Sequence, residues 1–200
     1  MAYTGTGTEA DPYLVSTFAD FLTCVAVEGA YVKVTADIDA SQEENYIYGI
    51  DTAVTVNAAK VYADEVKSIS NVAVNGTLYA IQFNNCICEN IWFRNWIFRP
   101  TASNNSQTLI ALSGADTILR NVYGSMEFVC ANAGHGGIVR SISSNAYASM
   151  THCAFNVRYG YAGGETMYLT GYMIQRMASV SRCTFEFCRF GRRKIHAEYR

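Results

Sequence analysis

Four segments of this sequence superimpose on one another: residues 91–98 (IWFRNWIF), 122–128 (VYGSMEF), 153–159 (CAFNVRY) and 183–190 (CTFEFCRF). Their closing aromatics Phe98, Phe128, Tyr159 and Phe190 stand 30, 31 and 31 residues apart. Self-similarity at such a period marks a chain built from stacked supersecondary units. The unit carries no helical pattern, so it is neither an ankyrin nor a tetratricopeptide repeat, and it lacks the leucine and asparagine spacing of leucine-rich repeats. In the last two segments Cys153, Phe155, Val157 and Tyr159 alternate onto one face, as do Cys183, Phe185 and Phe187, which makes each a half-buried strand. Apolar runs around 109–112, 138–142 and 168–174 lie between the segments, set off by polar or glycine-rich bends at 103–106, 132–137 and 160–164.

These features predict an all-β fold, a right-handed parallel β-helix (β-solenoid) in which each strand stacks on its equivalent one turn away at about 4.8 Å. A β-sandwich also has many short strands, but it gives no reason for a fixed interval. Stacking places Phe98 over Phe128, Tyr159 and Phe190 inside, with Cys153 over Cys183 and Phe155 over Phe185. It places Glu89, Arg120, Thr151 and Arg182 outside, and pairs Asn90 with Asn121 at a bend, where stacked amides satisfy backbone groups. Trp92 and Trp96 disturb strict alternation in the first segment, which allows a one-residue slip there.

A solenoid end exposes unpaired strand edges that native proteins cover. Residues 1–65 read as an N-terminal cap of strand, helix and strands continuous with the solenoid, residues 66–190 as coils of about 30 residues, and residues 191–200 as a basic tail. In the cap, Ser16 or Thr17 N-caps a helix whose apolar face is Phe18, Phe21, Leu22 and Val25, with Gly29 in the left-handed position beyond it. Strand candidates follow at 31–35, 46–50, 53–57 and 60–66.

The stretch 5–22 (GTGTEADPYLVSTFADFL), followed by 31–39 (YVKVTADID), resembles the opening of right-handed parallel β-helix proteins in the broad pectate-lyase-like group. That opening occurs in bacterial surface proteins and phage virion proteins. The resemblance implies the fold and, by its phage part, a virion component such as a capsid decoration, head-fibre or tail-associated protein, with a homotrimer as the expected assembly.

Composition narrows the function. Fifteen Lys and Arg against 17 Asp and Glu give a formal net charge of −2, which argues against nucleic-acid binding by bulk charge. Half the residues are hydrophobic, so a sizeable core is available, yet no apolar run approaches a membrane span. The first 32 residues contain no Lys or Arg, so the positive region of a secretory signal is missing and synthesis in a host cytoplasm is expected. Seven cysteines without C-x-x-C spacing read as reduced, mostly buried thiols.

Groups able to do chemistry are sparse. From 71 to 190 the acidic residues are Glu89, Asp116, Glu127, Glu165 and Glu186, with no two in one column or in adjacent outward columns of neighbouring coils. A glycosidase or lyase needs its carboxylates together. Asp37 and Asp39 share a face and offer oxygens to Ca²⁺, but a polar turn is the favoured reading because such a site needs more ligands. Cys86 and Cys88 also share a face, and with no second pair at ligand spacing they read as buried thiols rather than a soft-metal site. His135 lies in a glycine-flanked loop without a triad partner, and His152 and His196 carry less signal still. No catalytic residue, metal or cofactor is expected.

Aromatics are the stronger signal. Trp92, Trp96, Tyr123, Tyr147, Tyr161 and Tyr172 exceed what a narrow coil can enclose, and Tyr and Trp are enriched at interfaces. With Arg192, Arg193 and Lys194 of the tail they are the interface candidates, although a solvated tail is the favoured reading of the basic run. The expected function is a non-enzymatic structural and interaction protein of the virion whose partners are other virion or surface-assembly proteins and further copies of itself. The alternative is a carbohydrate-binding or carbohydrate-cleaving β-helix module of a tailspike or bacterial surface protein, with a glycan as partner. A third option, an exported adhesin, would carry a paired Cys153 and Cys183.

Overall fold

The computed structural model describes residues 3–42, 49–76, 78–101, 107–130, 136–142, 147–161, 174–175 and 177–190. The strand candidate at 46–50 therefore lies mostly outside the described residues, as do His135 and His196. In chain order, β1 (Tyr13–Val15) leads into α1 (Phe18–Val25), and the first winding carries β2 (Tyr31–Val34), β3 (Ile38–Asp39) and β4 (Val54–Val56). The next holds β5 (Lys60–Ser70), β6 (Ala73–Val74) and β7 (Tyr79–Asn84), followed by β8 (Ile87–Phe98) and β9 (Gln107–Ser113). Then come β10 (Ile118–Arg120), β11 (Tyr123–Cys130) and β12 (Gly136–Ser141), and next β13 (Ser149–Thr151), β14 (Ala154–Tyr161) and β15 (Ile174–Gln175). The described chain closes with β16 (Ser179–Ser181) and β17 (Thr184–Phe190).

Every pairing between these strands is parallel, in one 12-stranded and one 5-stranded sheet. The chain is a parallel β-solenoid. In the larger sheet the order β1-β2-β5-β8-β10-β13-β16 climbs one winding at a time, and in the smaller β4-β7-β9-β12-β15 does the same. The helix forms where its sequence allows: Thr17 Oγ1 accepts from the Asp20 amide at 3.2 Å, and Phe18, Phe21, Cys24 and Val25 are buried. Gly29 has φ 73° in the turn beyond the helix, where its amide reaches Asn57 O.

The interior consists of columns. Val32, Val61, Cys88, Leu119 and Met150 stack in register and are buried. Phe98, Phe128 and Tyr159 form the predicted aromatic column, with ring centroids 5.3 and 5.7 Å apart. The register departs from the expected alignment at the next winding: Arg189 stands opposite Tyr159, and Phe190 pairs with Gly160. The same slip moves Arg182, because Ser181 rather than Arg182 pairs with Thr151. One winding is a residue shorter than the 31 that separates Arg120 from Thr151, and the backbone ladder, not the aromatic spacing, decides the register.

Arg182 instead belongs to the corner. Asn90, Asn121, His152 and Arg182 occupy equivalent positions with φ of 60°, 52°, 53° and 53°, a left-handed turn that Asn tolerates best among residues with a side chain. Asn121 Nδ2 donates to Asn90 Oδ1 at 3.1 Å, the predicted amide pair.

Another column runs Ile69, Phe93, Gly124, Phe155 and Phe185. Gly124 is small because Phe155 fills its space: a Cβ there would lie 2.5 Å from Phe155 Cδ1 and 3.3 Å from Met126 Sδ. Gly124→Ala is expected to destabilise the fold by about 1–3 kcal/mol through overpacking, and adding Phe155→Leu should recover part of that loss. Urea unfolding of the two single variants and the double variant measures this, and additive costs would refute the contact.

Candidate functional site

Two departures from the repeat fall on the outer face of the larger sheet, side by side. In β5, Tyr62 pairs with Glu89 and Lys67 with Ile91, so the four residues 63–66 stand opposite Asn90 alone. Asn90 Nδ2 donates to Ala63 O at 2.8 Å and closes the base of this excursion. Lys33 to Asp64 at 2.8 Å and Lys67 to Glu65 at 2.5 Å brace it, and Val66 is left 44% exposed at its tip. In β8, Asn95 is an extra residue: Arg94 pairs with Ser125 and Trp96 with Met126. Asn95 has φ 56°, and its Nδ2 donates to Asn71 Oδ1 at 2.6 Å while Asn71 Nδ2 donates to Asp39 Oδ1 at 2.7 Å. Such bulges re-aim side chains.

The bulge corrects one expectation. Trp96 is not a surface residue: the extra Asn95 turns it inward, where it is 1% exposed, meets Phe93 edge-on at 5.2 Å and donates from Nε1 to Ile69 O at 2.8 Å. Trp92, three residues before the extra Asn95, stays outside at 37% exposure with the Arg94 guanidinium over its ring at 5.3 Å. Register places Trp92, Tyr123, Ala154 and Thr184 in one outer column and Arg94, Ser125, Asn156 and Glu186 in the next. Between the excursion and these columns lies an open groove of about 450 Å³ lined by Val66, Trp92, Tyr123, Ala154, Asn156 and Glu186. Its floor is apolar, and Asn156 Nδ2 donates to Glu186 Oε2 at 3.2 Å on its rim.

Thus the structure brings Trp92 and Tyr123 together. Tyr147 is 43% exposed but does not line the groove. The side chains of Tyr161, Tyr172, Arg192, Arg193 and Lys194 lie outside the described residues. Sequence reasoning missed Val66 as a surface feature, and the available signal was that residues 63–66 have no equivalent in later windings.

Carboxylates serve the ladder. Asp37 Oδ1 accepts from the Ser68 amide at 2.7 Å and from Ser68 Oγ at 2.9 Å, bonds that hold its carboxyl below the usual range. Asp39 is lowered likewise by Asn71 and Ser41, so both acids fasten the next winding. Glu89 lies between Lys60 at 2.9 Å and Arg120 at 3.4 Å, and its carboxyl is lowered first by the Lys60 hydrogen bond. Glu127 stands opposite Arg158. Among the described residues no group of three or more His, Cys, Asp and Glu is placed to hold a metal.

Cys24, Cys86, Cys88 and Cys153 are buried free thiols, as expected. Burial pushes Cys24 up to about 11 and Cys86 and Cys153 up to about 12 from 9.0, with Cys88 raised as well. A thiol that keeps its proton when folded and loses it when unfolded contributes stability that is complete below about pH 9 and drains away as pH rises toward 11–12. The urea midpoint should therefore hold steady to about pH 9 and fall above it, with a shallower fall in Cys86→Ala. A flat midpoint up to pH 11 would contradict this.

The fold is a parallel β-solenoid, and among the described residues the larger sheet's outer face is interrupted by bulges in β5 and β8. Compared with models of known families, with curated proteins and with solved structures, the chain matches none. No helix among the described residues is long and apolar enough to cross a membrane.

Proposed function

We propose that this chain is a non-enzymatic structural and interaction protein, a phage virion component whose outer face at Val66, Trp92 and Tyr123 packs against further copies of the same chain in a homotrimer. The observation that carries the reading is that the two bulges in β5 and β8 frame an exposed apolar strip. The strip runs across successive strands, along the solenoid axis, the direction in which copies lying side by side make their longest contact. Exposed aromatic and aliphatic side chains over an otherwise polar face are what a protein interface requires. The virion assignment draws on the resemblance of residues 5–22 and 31–39 to the opening of pectate-lyase-like β-helix proteins, and assembly in a host cytoplasm on the absence of Lys and Arg from the first 32 residues. The use of coil carboxylates as ladder partners supports a mechanical role.

Sedimentation equilibrium tests it. A species of three chain masses is expected, and Trp92→Arg combined with Val66→Arg should return it to monomer without loss of strand content. A monomer at high concentration overturns the reading. A second reading, glycan binding on a tailspike or bacterial cell surface, is favoured by one feature: the Trp92 and Tyr123 rings lie beside the polar Ser125, Asn156 and Glu186 in the groove. A glycan array and a reducing-end assay separate the two, since the structural reading expects no signal in either.

A further inference from the structure

Cys153 and Cys183 are, among the described residues, the one pair of cysteines at equivalent positions of adjacent windings. Register fixes them from both sides: Thr151 pairs with Ser181 and Ala154 with Thr184, so the cysteines directly face each other. Thr184 N donates to Cys153 O at 2.8 Å, and two residues on Phe155 and Phe185 stack at 5.8 Å with ring planes 19° apart. Each thiol also contacts the carbonyl two residues before it, Cys153 Sγ to Thr151 O at 3.3 Å and Cys183 Sγ to Ser181 O at 3.2 Å. The two side chains therefore point the same way. Parallel neighbours about 4.8 Å apart fall within the Cα separation a disulfide spans. The remaining step is a small approach of the two Cβ atoms. Strands β16 and β17 can make it, because among the described residues each pairs on one side only.

We propose that Cys153 and Cys183 form a redox latch, open while the chain is made in a reducing compartment and closed by a low-molecular-weight disulfide once it reaches an oxidising one. Cys183, the half-buried member, is the entry point, and Cys153, 2% exposed, is the resolving thiol. The Cys183 thiolate attacks the small disulfide, forming a mixed disulfide and expelling one thiol. The Cys153 thiolate then attacks Cys183 Sγ and expels the second. Two protein thiols lose two protons and two electrons, and one small disulfide becomes two thiols. The product ties β17 to β14 and closes a loop of about 30 residues, which removes freedom from the unfolded chain. The latch is intramolecular and stands apart from the trimer reading.

The test is equilibration of the full chain in glutathione buffers of graded ratio, acid quench, alkylation and peptide mapping. A Cys153–Cys183 peptide that appears with oxidation and disappears with reductant is expected, together with a rise in the thermal midpoint of about 5–10 °C that Cys183→Ser abolishes. The result should be the same in the Trp92→Arg, Val66→Arg chain, which separates failure of the latch from failure of the trimer. No such peptide in the most oxidising buffer, or cross-links spread equally over other cysteines, overturns it. Should Cys183→Ser not fold, the midpoint of the wild-type chain with and without reductant decides the point.

Discussion

Phe128→Ala is expected to lower the unfolding free energy by about 3–5 kcal/mol. Phe128 is fully buried, edge-on to Phe98 at 86° and tilted against Tyr159, so its ring touches the winding on either side. The size of the effect follows from how little the site can collapse. Backbone pairing ties Phe98, Phe128 and Tyr159 to adjacent strands, and a missing ring leaves those strands at their ladder spacing with a void between them. Tyr159→Phe provides the contrast. Its hydroxyl is buried without a hydrogen-bond partner, so deleting it should leave stability unchanged or raise it by about 1 kcal/mol. Urea unfolding of both variants decides the matter, and a cost under about 1 kcal/mol for Phe128→Ala would be incompatible with the column.

Trp96→Ala should cost about 3–5 kcal/mol, while Trp92→Ala should stay within about 1 kcal/mol. The two tryptophans are four residues apart on one strand, and only the extra Asn95 separates their fates. Alanine at 96 removes the ring that meets Phe93 and leaves the Ile69 carbonyl without its indole donor. Alanine at 92 removes a ring that is already partly in water. Its effect belongs to association, read by sedimentation rather than by unfolding. Equal stability costs would mean that the bulge does not exist.

These contrasts show where the sequence was readable. Period-two alternation around Phe155 and Phe185 revealed their stacking, and Thr17 with Phe18, Phe21 and Val25 revealed the helix, because both patterns are set by local geometry. Phe190 and Arg182 were misplaced for a different reason. A residue count assumes constant winding length, whereas bends absorb insertions and deletions at little energetic cost and the hydrogen-bonded ladder then resets the register. At Trp96 the broken alternation marked a one-residue slip in this segment but not its place: the extra residue is Asn95, in the left-handed region, and it inverts the side chains after it. The strip was half legible. Trp92 and Tyr123 stand out by type, whereas Val66 becomes visible only once residues 63–66 are seen to have no counterpart.

The successive first-sheet rungs beginning at Tyr31, Lys60, Ile87, Ile118, Ser149 and Ser179 each pair only with the rung before and the rung after. Nothing in such an arrangement counts its own layers. Cohesion is a sum of nearest-neighbour terms, so amide exchange should grade from slow in the middle to fast at the last layer instead of reporting one global opening. The same independence makes length heritable in whole steps: a duplicated layer would meet, above and below, the neighbours its parent already fits.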